Sequence, residues 1–314
     1  VRILKIKMES LRFLESLTKG TILFNEPMAK HTSYGIGGPV DAYIVPKDSE
    51  ELANILKYSN DNRFPVYFIG SGSNLLVSDQ GINGIVISPR NSLKKLEFTN
   101  NTIIAESGVM LGKLVKESTK RNLSGLESLI GVPGTLGGAL VMNAGAFGAE
   151  ISKYLKYVKV MNMKGQIIKY NINQIKFSYR FSTLKKDEFI LSASFQLLSE
   201  TLKIIEEKKQ FASMGRKTNQ PLKYRSAGSV FKNPENYAAG YLIDQVGLKG
   251  KKIGDAQISD HHANFFINHG NAMAKDITSL IKLARKEVFK KFSIHLELEV
   301  KTIGIKKKEL LSDD

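Results

Sequence analysis

The feature that most constrains this chain is a glycine-dense segment in its middle, Gly131-Val-Pro-Gly-Thr-Leu-Gly-Gly138, which continues to Asn143-Ala-Gly-Ala-Phe-Gly148. Six glycines fall between Gly131 and Gly148. Glycine costs backbone entropy and is favoured where φ must be positive or where another molecule lies against bare backbone. Few turns need so many glycines, so the segment predicts an extended surface for a long, flat ligand that carries a pyrophosphate and a ring system.

A second glycine-rich segment, Gly70-Ser-Gly-Ser-Asn74, directly follows the β-branched and aromatic run from Pro65 to Ile69, which predicts a strand. Its backbone amides can converge on an anion, and Ser71, Ser73 and Asn74 add polar side chains. The spacing matches neither the GxGxxG of a Rossmann fold nor a Walker loop, and tight turns explain it as well as phosphate binding does.

The composition is that of a folded protein that attracts anions. The 314 residues favour two or three domains, and 42% hydrophobic with 24% charged residues is typical of a globular chain. Lys and Arg number 46 against 30 Asp and Glu, a net charge of +16 that favours anionic ligands. Nucleic acid is not favoured, because the sequence shows no basic stripe, stacking positions or known binding module. A lysine-rich solvated surface is the simpler alternative to small anionic ligands.

The chain has no cysteine and five histidines, which excludes disulfides and thiolate metal sites and indicates no metal cluster. No run approaches the roughly 20 apolar residues of a membrane span, and Val1 to Met8 lack the apolar centre of a signal peptide. We therefore expect a cytoplasmic protein without membrane association. Whether Val1 to Lys7 precede a natural start at Met8 stays open.

Periodicity and turn residues predict alternating strands and helices. Asp48 and Glu51 form a capping-box pattern for a helix to Asn60, and hairpin turns are expected at Asn100-Asn101 and around Lys164-Gly165. The other predicted elements are strands at Val40 to Val45, Ile85 to Ser88 and Asn264 to Asn268, and helices at Leu111 to Arg121, Leu202 to about Arg216 and Ala238 to Gln245.

The last third predicts a long amphipathic helix followed by a half-buried strand. The buried stripe of the helix is Ile277, Leu280, Ile281, Ala284 and Val288. The strand, Ile294 to Val300, has its apolar residues on one face and His295, Glu297 and Glu299 on the other. The tail from Lys306 is charged and expected to fray.

Five motifs occur in an order that points to one family. They are Gly70-Ser-Gly-Ser-Asn74, Pro133 to Gly148, Tyr179-Arg-Phe-Ser182, Gly228-Ser-Val-Phe-Lys-Asn-Pro234 and Leu296-Glu-Leu-Glu-Val300. Together they resemble the UDP-N-acetylenolpyruvoylglucosamine reductase family over about Asn25 to Gly304, nearly the whole chain. His31-Thr-Ser-Tyr-Gly-Ile-Gly-Gly38 is similar to the family's opening segment. Five ordered motifs are far more specific than any one of them.

The resemblance implies an α+β fold with an FAD-binding domain of the vanillyl-alcohol oxidase (PCMH) type in two subdomains, followed by a C-terminal α+β substrate-binding domain. The implied boundaries are 1–95 and 96–202 for the FAD-binding subdomains, 203–305 for the substrate-binding domain and 306–314 for the charged tail. Asn233-Pro-Glu-Asn-Tyr-Ala238 runs almost directly into the next helix. The sequence therefore looks like the second type of the family, which lacks a tyrosine loop, and this implies a more open substrate site.

The resemblance also implies an enzyme, a UDP-N-acetylmuramate dehydrogenase. In the implied reaction, FAD is bound without a covalent link, NADPH reduces it and leaves, and UDP-N-acetylglucosamine enolpyruvate then takes the hydride on its vinyl carbon. The product, UDP-N-acetylmuramate, is a precursor of peptidoglycan. The implied partners are the UDP-sugar and NADPH, with no nucleic acid and no membrane, and the chain is expected to act as a monomer.

Three residues match the catalytic positions of the family. Arg180 would stabilise the enolate formed by hydride addition, because a guanidinium can hold a carboxylate by two hydrogen bonds and keeps its charge. Ser229 would be the general acid that protonates the enolate. Glu299 would polarise the carboxylate or orient the other two groups, and only the family pattern favours it over Glu297, which shares its strand face.

The matched motifs also imply ligand contacts. The cofactor-binding residues are Gly70, Ser71, Gly72, Ser73, Asn74, Leu75, Pro133, Gly134, Thr135, Gly137, Gly138, Asn143, Gly145 and Gly148. The substrate-binding residues are Tyr179, Gln220, Lys232, Asn233 and His262. The tyrosine-loop type has a lysine near the position of Asn219 and Gln220. An exposed histidine without a special role is the alternative for His262.

Two other functions remain open at this stage. A different FAD oxidoreductase with the same flavin domain would keep the glycine loops but gives no reason for Arg180, Ser229 and Glu299 in their matched contexts. A non-catalytic binder of anions or nucleic acid would explain the net charge but leave the glycine motifs unexplained.

Overall fold

The computed structural model describes residues 8–311. Within this range the chain forms two compact units. The first unit comprises residues 8–25, 41–71 and 83–216, and the second unit comprises residues 26–40, 72–82 and 217–311. Each unit is thus built from segments that are far apart in the sequence. Whether the natural chain starts at Met8 depends on Val1 to Lys7, which lie outside the described residues.

The helices follow the amphipathic stretches of the sequence. They are α1 (Met8–Leu17), α2 (Ser49–Asp61), α3 (Leu111–Thr119), α4 (Leu136–Val141), α5 (Leu202–Asn219), α6 (Ala239–Gln245) and α7 (Ala274–Phe292). Short 3₁₀ helices are Met28–His31, Glu127–Leu129, Ile151–Tyr154, Ile172–Gln174 and Lys307–Glu309. None of the helices in residues 8–311 combines the length and the low charge that crossing a membrane requires.

The strands are short, as expected for a mixed α+β chain. They are β1 (Thr21–Pro27), β2 (Pro39–Val45), β3 (Val66–Phe68), β4 (Leu75–Val77), β5 (Ile82–Ile87), β6 (Leu96–Thr99), β7 (Thr102–Glu106), β8 (Leu123–Ser124), β9 (Gly145–Ala146), β10 (Ala149–Glu150), β11 (Leu155–Met161), β12 (Ile167–Asn171), β13 (Phe177–Ser178), β14 (Phe181–Ser182), β15 (Phe189–Gln196), β16 (Leu198–Ser199), β17 (Lys252–Ile253), β18 (Ala256–Ile258), β19 (Phe266–Asn268) and β20 (Lys301–Ile303).

The first unit contains most of a four-stranded sheet, in the order β1-β2-β5-β3, with β3 parallel to β5. The core beside it includes the fully buried Ile55 of α2 and Ile85 of β5. Asp48 caps α2 as predicted, because its side chain accepts the N–H of Glu51. The predicted capping box is wrong in its second half, since the Glu51 carboxylate accepts the N–H of Gly20 instead of closing on Asp48. A tertiary partner has replaced the local one.

The first unit also contains an antiparallel five-stranded sheet, in the order β12-β11-β15-β7-β6. Both predicted hairpins are confirmed, with positive φ at Asn100 (+52°) and Gly165 (+72°), the residues that turn the chain. Helices α3 and α4 contribute the fully buried Leu114 and Leu140 to the core on this sheet. This packing fixes the start of α4, where the glycine-dense segment enters the helix.

The second unit is built around α7. The five residues of its predicted stripe are all fully buried, in a core with Tyr34, Phe231 and Phe266. The antiparallel sheet β17-β18-β19 and the parallel pair β20-β4 complete this unit. Residues 26–40 and 72–82 therefore share one core with the C-terminal third of the chain.

The predicted strand from Ile294 to Val300 is wrong as a regular strand. The segment is extended, but its ladder is limited to one bridge between Leu298 and Phe231, and the carbonyl of Val230 accepts both Glu299 N–H and Val300 N–H. A short run around Val230 is its backbone partner here, which is too short to sustain a strand. The regular strand begins only at β20.

The prediction of a frayed tail is wrong for its first residues. Leu310 is buried in the second core, and Arg285 donates from Nη1 to its carbonyl at 2.5 Å. Apolar burial and a charged donor therefore hold the chain as far as this position. The tail residues 312–314 lie outside the described range.

Helix α7 has no capping oxygen on its own N-cap residue, Met273, and takes one from Asp79. The Asp79 carboxylate accepts Ala274 N–H at 2.7 Å and Lys275 N–H at 3.1 Å. We expect Asp79→Ala to lower the free energy of unfolding by about 1 kcal/mol, up to about 2, because two helix N–H groups lose their acceptor. Urea denaturation of purified protein measures this. Asp79→Asn is the matched control and should lose less, since its amide oxygen still accepts; equal midpoints for all three proteins would contradict the role.

Candidate active site

The two glycine-rich segments meet within the first unit. A Cβ added at Gly70 would lie 2.4 Å from Oγ1 of Thr135, so no other residue fits at this position without a shift. The carbonyl of Gly70 accepts the hydroxyl of Ser88, and Ile69 N–H donates to Ile87, which fixes the end of β3. Bare backbone and a threonine hydroxyl are therefore presented side by side, as the glycine content predicts.

Three hydroxyl groups around this meeting point are buried without a hydrogen-bond partner among the described residues. They are Oγ of Ser71, Oγ of Ser107 and Oγ1 of Thr135. Thr135 is the N-cap residue of α4, yet its hydroxyl makes no capping bond. Leaving a buried hydroxyl unpaired costs about 1 to 3 kcal/mol, so such groups in a native fold usually have a ligand or water as partner.

The glycines of α4 allow close packing at its first turn. A Cβ at Gly137 would lie 3.1 Å from Cβ of Ser107, and Gly137 N–H donates to the carbonyl of Ser107. Gly134 has a φ of +142° and accepts Leu111 N–H. Ser107, which sequence reasoning missed, thus belongs to the same cluster as Thr135; its position directly after β7 was the available signal.

The second half of the glycine-dense segment forms the β9-β10 hairpin. Phe147 and Gly148 turn the chain with φ of +52° and +78°, and a Cβ at Gly145 would lie 2.5 Å from the carbonyl of Ala149. The hairpin alone accounts for these two glycines. Asn143 is fully buried, donates from Nδ2 to Glu150 and to the carbonyl of Ser178, and keeps an unpaired Oδ1.

Arg180 lies at the tip of the hairpin formed by β13 and β14. Its φ is +55°, in the left-handed region, and its guanidinium carbon lies 4.9 Å from the centre of the Tyr179 ring. Tyr179 is itself exposed. A two-residue turn ordinarily places glycine at this second position, so the arginine is held in a backbone conformation that its side chain does not favour.

A second arginine, Arg216 of α5, belongs to the first unit and was missed by sequence reasoning. It is buried and donates from Nε to the carbonyl of Ile130 and from Nη2 to that of Ser128. Burial, and then the positive charge of Arg180, lower the pKa of Arg216 from its usual value. Two cations that repel each other favour an anion near them. The signal was its spacing, since Arg216 continues the buried stripe of Ile205 and Ala212.

The rest of the first glycine-rich segment belongs to the second unit. Gly72 has a φ of +65°, and a Cβ there would lie 2.0 Å from the carbonyl of His31. Asn74 donates from Nδ2 to the carbonyl of Glu299 at 3.1 Å, and its own carbonyl accepts Lys301 N–H. The parallel pairing of β4 with β20 continues this contact along the chain.

Ser229 and Glu299 lie on neighbouring backbone segments of the second unit. Ser229 forms a bridge with Phe265, and the next residue, Val230, accepts Glu299 N–H at 2.9 Å. A Cβ at Gly228 would meet no atom within 4 Å, so there is open space beside Ser229. Two of the three predicted catalytic residues are thus brought together, although 70 positions separate them. Arg180 belongs to the first unit.

The structure distinguishes the two glutamates that the sequence left open. Glu297 is 72% exposed in its side chain, and its Oε1 lies 2.6 Å from Nζ of Lys232. Glu299 is partly buried. An exposed carboxylate in a surface ion pair is a weak candidate for chemistry, so the geometry favours Glu299.

Some of the predicted substrate-binding residues form hydrogen bonds or ion pairs with other residues of the chain. Lys232 pairs with Glu297, and Asn233 accepts Ala239 N–H at the start of α6. His262 is half-buried, not exposed, and its Nδ1 accepts Asn264 N–H; burial lowers its pKa, which favours a neutral ring. Gln220 is partly buried directly after α5. Across residues 8–311 no group of three carboxylate or imidazole side chains could hold a metal ion.

Comparison with known proteins identifies the class of protein to which this fold and site belong. Residues 40–171 match the family profile described as "FAD binding domain", and residues 220–303 match that of "UDP-N-acetylenolpyruvoylglucosamine reductase, C-terminal domain". The fold is therefore of the expected α+β class, that of a flavoprotein with an FAD-binding domain followed by a C-terminal domain of its own.

Relatives narrow the class to one family. The UDP-N-acetylenolpyruvoylglucosamine reductase of Alkaliphilus oremlandii is 40% identical over 302 residues, 95% of this chain and 99% of the relative. That of Clostridioides difficile is 41% identical over 295 residues, 94% of this chain and 97% of the relative. The crystal structure of the Thermus caldophilus enzyme has a TM-score of 0.78 at 33% identity, covering 91% of this chain and 99% of the other. This chain belongs to the UDP-N-acetylenolpyruvoylglucosamine reductase family.

Proposed function

We propose that the chain reduces UDP-N-acetylglucosamine enolpyruvate to UDP-N-acetylmuramate with NADPH, through FAD bound without a covalent link, with Arg180, Ser229 and Glu299 as its catalytic residues. Family membership supports the reaction and the cofactor. The observation that carries the residue assignment is the backbone contact through Val230 that brings Ser229 beside Glu299. The product is a peptidoglycan precursor.

The residues of the first unit fit FAD. The unpaired hydroxyls of Ser71, Ser107 and Thr135 would donate to phosphate oxygens, and Gly70 lets the ligand approach bare backbone. When bound, FAD supplies hydride transfer from NADPH to the vinyl carbon of the substrate. The absence of cysteine leaves no thiol for a covalent flavin link.

Arg180 acts on the charge that develops during reduction. Hydride addition to the methylene carbon leaves an enolate whose negative charge is shared with the substrate carboxylate. A guanidinium binds a carboxylate through two hydrogen bonds and keeps its charge at any working pH, so it stabilises this species as it forms. The nearby charge of Arg216 adds to the attraction for anions.

Ser229 and Glu299 carry out the protonation step in this proposal. The serine hydroxyl protonates the enolate carbon, which is basic enough to take a proton from a weak acid, and the open space at Gly228 gives the substrate access to it. Glu299 polarises the substrate carboxylate as a hydrogen-bond donor, or orients the serine. Tyr179, Gln220, Lys232, Asn233 and His262 bind the nucleotide sugar in this proposal.

In this proposal the chain has three functional parts and a tail. Residues 1–95 and 96–202 hold the cofactor, 203–305 bind the sugar nucleotide, and 306–314 form the tail. The enzyme acts as a monomer in the cytoplasm, without nucleic acid or membrane partners. The absence of cysteine fits a reducing compartment but does not distinguish it from an oxidising one. Only five residues separate Asn233 from α6, which supports the type without a tyrosine loop and an open substrate site.

Stopped-flow absorbance in two stages tests the function. NADPH should bleach the yellow of the bound flavin, and the enolpyruvyl UDP-sugar should then restore it with one equivalent of UDP-N-acetylmuramate formed. UDP-N-acetylglucosamine, which lacks the enol ether, is the matched control and should restore nothing in the absence of oxygen. Reduced enzyme that ignores the enolpyruvyl nucleotide but reacts rapidly with oxygen would favour a different flavin oxidase.

Thr135→Val tests whether the unpaired hydroxyls bind the cofactor. We expect FAD affinity to fall roughly 10- to 100-fold, because a hydrogen bond to a charged phosphate is worth about 1.5 to 3 kcal/mol. The FAD-free variant should be as stable as the parent or more stable, since the substitution removes a buried, unpaired hydroxyl. Flavin fluorescence titration and thermal unfolding of the FAD-free protein measure the two effects.

Thr119→Val is the matched control for that experiment. Thr119 is also buried in the first unit, but its hydroxyl donates to the carbonyl of Val115 within α3. Its replacement should leave FAD affinity unchanged. Thr135→Val with parental affinity would remove this residue from the cofactor site.

A further inference from the structure

The amide side chain of Asn74 is committed to the backbone of the proposed catalytic glutamate. Its Nδ2 donates to the carbonyl of Glu299 at 3.1 Å, although 225 positions separate the two residues. The carbonyl of Asn74 accepts Lys301 N–H at 3.0 Å. One residue of the glycine-rich segment thus contacts the chain on both sides of Val300.

Glu299 depends on this contact because its own segment is irregular. Among the described residues, the β-bridge beside it joins Leu298 to Phe231, and β20 begins two residues after Glu299. Glu299 N–H donates to the carbonyl of Val230, the neighbour of Ser229. The carbonyl of Glu299 accepts the Asn74 amide N–H in place of the backbone N–H that a strand partner would supply. The two hydrogen bonds fix the orientation of the peptides that flank the Glu299 side chain.

We propose that Asn74 is a positioning residue for the reaction, which holds the main chain of Glu299 so that its carboxylate is set relative to Ser229. This proposal rests on the proposed function, in which Glu299 is catalytic. Without the amide, the carbonyl of Glu299 loses a partly buried donor and the extended segment loses a restraint at the position that must be accurate. The sequence motif also assigns Asn74 to the cofactor site, but its side-chain amide is committed to Glu299, so loss of the amide should affect the protonation half of the cycle more than reduction of the flavin by NADPH.

A double-mutant cycle tests this role. Asn74→Leu removes the amide at similar volume, and Glu299→Gln replaces the carboxyl group that the amide positions. We expect each variant to slow flavin reoxidation by the enolpyruvyl nucleotide, Asn74→Leu by roughly 10- to 100-fold, as for a misplaced catalytic group. Reduction by NADPH, measured with saturating FAD, should be slowed much less than reoxidation in both variants. If Asn74 acts through Glu299, the double variant should be no slower than Glu299→Gln alone.

Asn268→Ala is the matched control. Asn268 also belongs to the second unit, is buried, and donates from its side chain to a backbone carbonyl, that of Tyr34. Its loss should lower the unfolding midpoint, and its effect on reoxidation should multiply with that of Glu299→Gln. Asn74→Ala provides a second probe of the same bond if Asn74→Leu does not fold.

Each outcome decides between the proposals. Effects of Asn74→Leu and Glu299→Gln that multiply would overturn the positioning role while leaving Glu299 catalytic. Loss of flavin, or equal slowing of both half-reactions by Asn74→Leu, would make Asn74 a cofactor contact instead. Glu299→Gln with parental reoxidation would remove Glu299 from the proposed function itself.

Discussion

Replacing Ser229 with alanine is expected to slow reoxidation of the reduced flavin by the enolpyruvyl nucleotide about 10²- to 10⁴-fold, the usual contribution of a positioned general acid. Reduction by NADPH should stay within about twofold of the parent, because the hydroxyl is required only once the enolate has formed. Single-turnover stopped-flow absorbance resolves the two steps. Product formed in deuterated water should carry deuterium at the protonated carbon in the parent enzyme.

Ser226→Ala is the matched control for Ser229→Ala. Ser226 precedes Ser229 by three residues in the same segment and is partly buried as well. Its removal should leave both half-reactions unchanged. Equal loss in the reductive and oxidative steps of Ser229→Ala would point to damaged cofactor binding and contradict the acid role.

Arg180→Gly is expected to change activity and stability in opposite directions. Reoxidation should fall about 10²- to 10³-fold, because the enolate loses its cationic partner. The free energy of unfolding should rise by about 1 kcal/mol, because glycine adopts a φ of +55° without the steric penalty that arginine pays there. Loss of the repulsion between Arg180 and Arg216 acts in the same direction. Stopped-flow absorbance and urea denaturation measure the two effects.

Arg180→Lys separates the charge from the geometry. It keeps the positive charge and a non-glycine residue in the left-handed conformation, so its stability should match that of the parent. Its reoxidation should stay well below the parental rate, because an ammonium group cannot bind both carboxylate oxygens in one plane. An Arg180→Gly variant that is active, or that is clearly less stable than the parent, would contradict the assignment of this turn to catalysis.

Local patterns predicted the elements whose causes are local. The burial of the stripe from Ile277 to Val288 could be predicted, because helical spacing alone decides which side chains share a face. The turn residues Asn100 and Gly165 indicated hairpins, because asparagine and glycine readily adopt the positive φ that these turns require. These elements needed no knowledge of distant parts of the chain.

The errors arise where a distant partner decides the local structure. Glu51 serves Gly20 and not its own N-cap, and α7 takes its cap from Asp79, which no pattern near Met273 indicates. The segment before β20 lacks a partner long enough to make it a strand, although its alternation suggests one. Such contacts depend on tertiary structure and are not visible in a single sequence.

The candidate site shows the same division. Ordered motifs pointed to Arg180, Ser229 and Glu299 as candidates, but only the structure gave a physical reason to prefer one glutamate, through the exposure of Glu297 and its ion pair with Lys232. The unpaired hydroxyl of Ser107 was missed because its one signal, a position directly after a strand, is ordinarily that of a turn residue.

The second unit combines early and late segments of the chain, and this affects its folding during synthesis. Tyr34 and Leu76 leave the ribosome well before Phe231 and Phe266, yet all four share one core. Until the last third is translated, these early side chains have no native neighbours and must stay exposed or be shielded by chaperones. Ribosome-bound intermediates therefore carry an unfinished apolar surface for most of translation, and the unit that holds Ser229 and Glu299 forms only at the end.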